Sequence, residues 1–172
     1  SGITGGNLEW RGDCHTEDAA VPLKPMGEDY KGTNLSQEFI DAHRDILDPD
    51  GDGTIDVSGG MHDAGDHVKF CLPGSYAAST LGWGYYEFRD AYVDSGQQWH
   101  IEDILHWFND YYLKCTYFDE NGDILAFCYQ VGEGDIDHNY WNAPELQNES
   151  LLDFARPAYF ATVETPASDM CA

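Results

Sequence analysis

Two segments of this chain, about 73–93 and 98–114, repeat apolar residues at helical spacing over faces too broad for two or three helices to bury. In the first, Tyr76, Ala77, Thr80, Leu81, Gly84, Tyr85 and Phe88 recur every three or four residues. In the second, Ile101, Ile104, Leu105, Phe108 and Tyr112 do the same. Pro73 suits a first helical turn and Ser95-Gly96 ends the first segment. The aromatics on both stripes read as packing. A shorter helix is predicted from a Ser36 cap to about Leu47, with Phe39, Ile40, His43, Ile46 and Leu47 on one stripe. Asn121-Gly122, between the apolar runs 116–118 and 124–131, predicts a β-hairpin. The stretch after Val131 is loop-like and acidic through Glu149, and the chain from Arg156 reads as extended. Thr165 to Asp169 looks like a lead into another helix. The pattern is mainly α with one small β-hairpin. About three helices with such faces need further layers to cover them. The expectation is a chain that folds poorly alone and is completed by sequence outside it.

Acidic residues outnumber basic ones 32 to 8, a formal charge of −24. That balance excludes a nucleic-acid footprint and docking to an anionic membrane. It favours solubility and cation binding. Hydrophobic residues at 42% supply a core, so disorder is excluded despite the charge. The 14% of aromatics can fill that core or form flat platforms for sugar rings. No apolar run is long enough to span a bilayer. Residues 1–9, beginning SGITGG, read as a linker or an expression remnant. Cys14, Cys71, Cys115, Cys128 and Cys171 form no CxxC pair, and read mostly as buried thiols.

One loop looks made for a hard cation. Asp48, Asp50, Asp52, Thr54 and Asp56 stand at positions 1, 3, 5, 7 and 9 of an EF-hand-type loop, with Gly53 at position 6. Thr54 would offer its carbonyl. Position 12 is Gly59, so the closing bidentate carboxylate is missing. The loop is read as a reduced calcium site completed from elsewhere, against the plainer alternative of a solvated Asp/Gly turn.

The stretch SGGMHDAGDHVKF, residues 58–70, sets Asp63 and Asp66 three apart among small residues. Two close carboxylates can push each other's pKa apart, which acid–base chemistry exploits. Alone, such a pair is a weak signal and more often a turn or a cap. The whole string, however, closely resembles the catalytic-base segment of glycoside hydrolase family 9. Trp10-Arg11-Gly12-Asp13 resembles that family's WRGD segment, and YAASTLGWGYY (76–86) its following helix. Residues 129–138 (YQVGEGDIDH), with Trp141 and Pro144-Glu145, resemble its YQVGDG…DH..W.PPE segment. Arg156-Pro157 and Pro166-Ala167-Ser168-Asp169 resemble later landmarks. The likeness runs from about residue 10 to the end, in the family's order. It marks 10–172 as the N-terminal portion of the catalytic domain.

The resemblance implies part of an (α/α)6 barrel whose cleft binds cellulose or a related β-1,4-glucan. It implies hydrolysis of internal β-1,4-glucosidic bonds with inversion, Asp66 acting as base and Asp63 holding the attacking water. His138 and Trp141, with Tyr140, would line the sugar subsites. It also implies a secreted protein, free, at the cell surface or in a cellulosome. The family's general acid is a Glu in a later segment, and Glu145, Glu149 and Glu164 do not match its context. The chain alone is therefore expected to be inactive until the C-terminal remainder of the domain, in the same polypeptide or as a separate chain, joins it. Met61 stands where the family often has an aromatic, and the 37–56 region is longer than in many members. The alternatives are a calcium-stabilised glucan-binding protein without catalysis, and an adhesion protein using Arg11-Gly12-Asp13.

Overall fold

The computed structural model describes residues 12–148 and 155–167. Trp10, Arg11, Glu149, Ser168, Asp169 and Cys171 of the sequence reading lie outside the described residues. The Ser36 hydroxyl accepts from the Phe39 amide at 3.1 Å and starts helix α1, Gln37–Ala42. The helix predicted over 36–47 is in fact two. It breaks at His43, whose φ of −128° leaves the helical range, and resumes as α2, Arg44–Leu47. The His43 ring lies against Phe39, 4.7 Å between centroids. Strands β1, Val21–Pro22, and β2, Thr54–Ile55, pair antiparallel. Together they seat the 3-10 helix Thr16–Ala20 beside Val57, whose amide donates to the Asp18 carbonyl at 2.8 Å.

Strand β3, Lys69–Phe70, leads directly into α3, Cys71–Glu87. Phe88, at φ −122°, interrupts the long helix predicted over 73–93, and α4, Arg89–Asp94, follows. Helix α5, Gln98–Lys114, has the predicted bounds. It buries Ile101, Phe108 and Tyr111. On α3 only Cys71 is buried, while Tyr76, Trp83 and Tyr86 are 71%, 68% and 77% exposed. The packing expected of the aromatic stripe is thus met on α5 but not on α3.

The hairpin falls where Asn121-Gly122 places it, between β4, Thr116–Phe118, and β5, Ile124–Val131. It is one part of a larger sheet than the sequence indicated. Val131 pairs with Lys69 of β3 and with Ala158 of β6, Ala158–Thr162, so β3 and β6 flank β5 on opposite edges. β4 shares the edge of β3. The described residues are therefore helices set against a four-stranded antiparallel sheet, not helices with a lone hairpin. The core joins the two layers: Ile40, Leu47, Val57, Tyr111, Cys115, Cys128, Val131 and Phe160 form one buried cluster. Cys14, Cys71, Cys115 and Cys128 are buried thiols. No helix among the described residues is long and apolar enough to cross a membrane.

Candidate active site

The coil between β2 and β3 carries both carboxylates. Its course is set by donors from elsewhere. The indole of Trp107 on α5 donates to the Gly60 carbonyl at 2.8 Å, and Lys69 donates to the carbonyls of Val57 and Gly59. Gly60 has φ +67°, and a Cβ there would come within 2.9 Å of the Tyr111 ring. Only glycine allows both the turn and the approach.

This coil delivers Asp66 to a site where its side chain is nearly sealed, at 2% exposure. One carboxylate oxygen accepts from the Ala64 amide at 3.3 Å, and the other lies 2.8 Å from His138 Nδ1. Asp63 is exposed, and its amide donates to the Val68 carbonyl, closing the loop on itself. Partial burial, then the charge of Asp66, pushes the Asp63 carboxyl above its usual range. His138 comes from the end of α6, Gly134–Asp137, and packs edge-on against Trp141, 5.7 Å between centroids. Trp141 lies over Gly65, where a Cβ would meet the indole at 2.4 Å, yet its outer face is open at 65% exposure. Tyr140 turns the other way and meets the His67 ring edge-on at 5.5 Å. The structure thus gathers these four residues, with Asp66 buried beneath the exposed Asp63, His138 and Trp141 and Tyr140 set against His67. A cavity of about 390 Å³ between the 3-10 helix and α5 holds none of them.

Behind the carboxylates lies an ionic cluster that sequence reading missed. Arg156 donates to both oxygens of Asp18 at 3.0 and 2.9 Å, to Asp137 at 2.6 Å and to the His67 carbonyl at 2.6 Å. Lys69 reaches Asp18 at 2.8 Å. All four charged side chains are almost fully buried. Burial opposes ionisation of Asp18, but Arg156 and Lys69 together hold it far below the usual carboxylate range. Burial raises Asp137 in spite of Arg156 and Gln147.

Three further side chains missed in the sequence, Cys14, His15 and His62, put their donor atoms within 4.8 Å of one another. Burial lowers His15 to about 3 and His62 to about 2, so both rings are neutral at pH 7. Neutral imidazole and thiolate are the donors of borderline cations such as zinc. The only hint in the sequence was the Cys14-His15 pair and two more histidines, His62 and His67, in one short stretch.

The acidic loop splits. Carboxylate oxygens of Asp48, Asp50 and Asp52 lie within 4.8 Å of one another, as a hard cation would require. Asp48 also accepts from the amides of Asp52 and Gly53, and Asp52 accepts from the Thr54 amide and hydroxyl. Asp56 turns away, to Ser58 and to Lys114 at 3.0 Å.

A buried carboxylate with an exposed one beside it and an open indole is a grouping that fits a glycoside hydrolase. Comparison with known proteins agrees. The model of Glycosyl hydrolase family 9 matches residues 1–172, and the chain belongs to that family. Endoglucanase 14 of Oryza sativa subsp. japonica is 31% identical over 165 residues, 96% of this chain and 30% of that protein. The catalytic domain of CelT from Clostridium thermocellum superposes with a TM-score of 0.84 at 54% identity, over 93% of this chain and 30% of that one. The cellulase Cel9M of C. cellulolyticum, solved also with cellobiose, gives 0.64 at 35% identity over 96% and 30%. The chain spans about 30% of the length of these relatives.

Proposed function

We propose that this chain forms the base-side wall of the cleft in an enzyme that hydrolyses internal β-1,4-glucosidic bonds of cellulose or a related glucan with inversion. The observation that carries the reading is the placement of Asp66. Its carboxylate is buried, held by Ala64 and His138, and flanked by Asp63 and the open face of Trp141. Asp66 takes a proton from water as that water attacks the anomeric carbon. Asp63, exposed beside it, accepts the water's second hydrogen bond. Trp141 stacks on a pyranose face, His138 bonds a sugar hydroxyl, and Tyr140 supports the subsite from behind. A carboxylic acid on the far side of the sugar, about 6.5–9.5 Å from the base, protonates the leaving oxygen. It comes from the remainder of an (α/α)6 barrel, in the same polypeptide or as a separate chain. That remainder covers the exposed stripe of Tyr76, Trp83 and Tyr86. The names of the relatives support the reading: endoglucanases, and a cellulase in complex with cellobiose. An insoluble polymer as substrate implies action outside the cell.

Calcium belongs to the same reading as a structural ion. Asp48, Asp50 and Asp52 fit a hard cation, with Thr54 adjacent, while Asp56 does not share their cluster. The ion would tie the loop after α2 to β2 and takes no part in the chemistry.

The test is Asp66→Asn in the complete catalytic domain. Loss of a positioned base lowers kcat by on the order of 10²–10⁴-fold, with glucan binding retained. Azide should restore turnover and give the α-glycosyl azide. Asp63→Asn should cost less than Asp66→Asn. Near-normal hydrolysis by Asp66→Asn would sink the assignment, and a non-catalytic binding protein would show no hydrolysis to lose.

A further inference from the structure

Three segments that meet at the candidate site are joined by one side-chain amide. Gln147 follows the 3-10 helix Pro144–Leu146 and is 3% exposed. Its Oε1 lies 2.7 Å from His15 Nε2 and 2.7 Å from His67 Nδ1. Its Nε2 donates to Asp137 Oδ1 at 2.7 Å. We propose that Gln147 is a positioning residue for the base: it clamps His67 beside Asp66 and fixes that segment against the one bearing His138 and Trp141. The inference rests on the reading of Asp66 as the base.

The chemistry follows from the donor inventory. An amide oxygen only accepts, so both ring nitrogens facing it must carry hydrogen. The amide cannot turn over without setting its oxygen against Asp137, whose other oxygen is already held by Arg156 at 2.6 Å. His15 Nε2 and His67 Nδ1 therefore both carry hydrogen and donate to the amide oxygen. His67 is gripped twice, by Gln147 at its ring and by Arg156 at its carbonyl. With ring and carbonyl both held, the backbone just past Asp66 has little freedom, and the direction of the Asp66 carboxylate is set with it. The same amide anchors the segment that starts at His138, which bonds Asp66 from the opposite side. Base, sugar-side histidine and tryptophan thus keep one registration. A misplacement of about 1 Å at such a site can cost roughly 10²-fold in rate.

The test compares Gln147→Met and Gln147→Glu in the complete catalytic domain, with a soluble cello-oligosaccharide as substrate. Methionine keeps the bulk and removes the acceptor. It should lower kcat about tenfold to a hundredfold while KM stays within about twofold. Glutamate keeps an acceptor for both rings. With the acceptor facing His67 retained, it should restore most of kcat. Wild-type kcat in the methionine variant, or equal damage from both, would overturn the proposal. A second measurement needs no variant. Nitrogen-15 spectra of labelled histidine should show a proton on Nε2 of His15 and on Nδ1 of His67. The reverse tautomer in either ring overturns the clamp, even if Gln147→Met does not fold. If the unaltered domain cleaves no glucan, the functional reading fails, and these spectra still decide the clamp.

Discussion

Replacing Arg156 by methionine probes how the site is held. The change keeps the stem and removes four hydrogen bonds: two to Asp18, one to Asp137 and one to the His67 carbonyl. Asp18 keeps Lys69 at 2.8 Å, and Asp137 keeps Gln147 at 2.7 Å. The His67 carbonyl loses its charged donor. Breaking a buried ion pair from one side costs about 3–5 kcal/mol, roughly 10²–10⁴ in the folding equilibrium. The loss should depend on pH, and the sign can be worked out. Burial already raises Asp137 against the pull of Arg156, so without the guanidinium its folded pKa rises further. A carboxyl raised in the folded state penalises folding above that pKa and ceases to do so once protonated. The deficit should therefore be full near pH 7 and shrink on acidification through the raised pKa of Asp137. Urea unfolding of the complete domain, followed by tryptophan fluorescence at pH 7 and pH 5, measures both. A deficit under about 1 kcal/mol at pH 7, or one that grows at pH 5, would refute the reasoning.

Two further outcomes are expected. Gly65→Ala puts a Cβ 2.4 Å from the Trp141 ring, so the indole must move; cello-oligosaccharide affinity should fall several-fold, on the order of 1 kcal/mol, and unchanged affinity by calorimetry would show that Trp141 is no platform. A chelator should lower the melting temperature of the complete domain, because calcium bound only to the folded form stabilises it by mass action; Asp50→Ala should abolish most of that shift while Asp56→Ala, being outside the cluster, should not, and a chelator-insensitive melting point would mark the loop as a solvated turn.

Local signals carried far in this sequence, and non-local ones did not. Helix α5 and the β4–β5 hairpin fall within the predicted bounds, because a clean apolar stripe and an Asn-Gly turn are decided over a few residues. The breaks at His43 and Phe88 were invisible, since no glycine or proline marks them. Strand β6 shows in the sequence only as an extended run, because its partner in β5 lies about thirty residues away and pairing cannot be seen from one side. Asp63, Asp66, His138 and Trp141 were picked out by resemblance, and the structure brings these four together. That Asp18, Lys69, Asp137 and Arg156 form one cluster is not legible in the sequence for a physical reason. The four are scattered along the sequence, and the Arg156–Asp18 contact joins residues 138 apart.

The same fact explains how a coil can present a carboxylate with precision. Between β2 and β3 the chain has almost no ladder of its own. Four of its carbonyls instead receive side-chain donors from outside the coil: Val57 and Gly59 from Lys69, Gly60 from Trp107, and His67 from Arg156. Two of the donors are buried cations, and a cation left unpaired in a core is costly. Asp18 meets that need for both, which is why it stays ionised at full burial. The ionic cluster is thus better understood as a means of holding backbone than as a source of net stability. Hydrophobic replacements of the whole cluster could leave the domain folded. They could not donate to the carbonyls, and the loop that aims Asp66 would lose its fixed course.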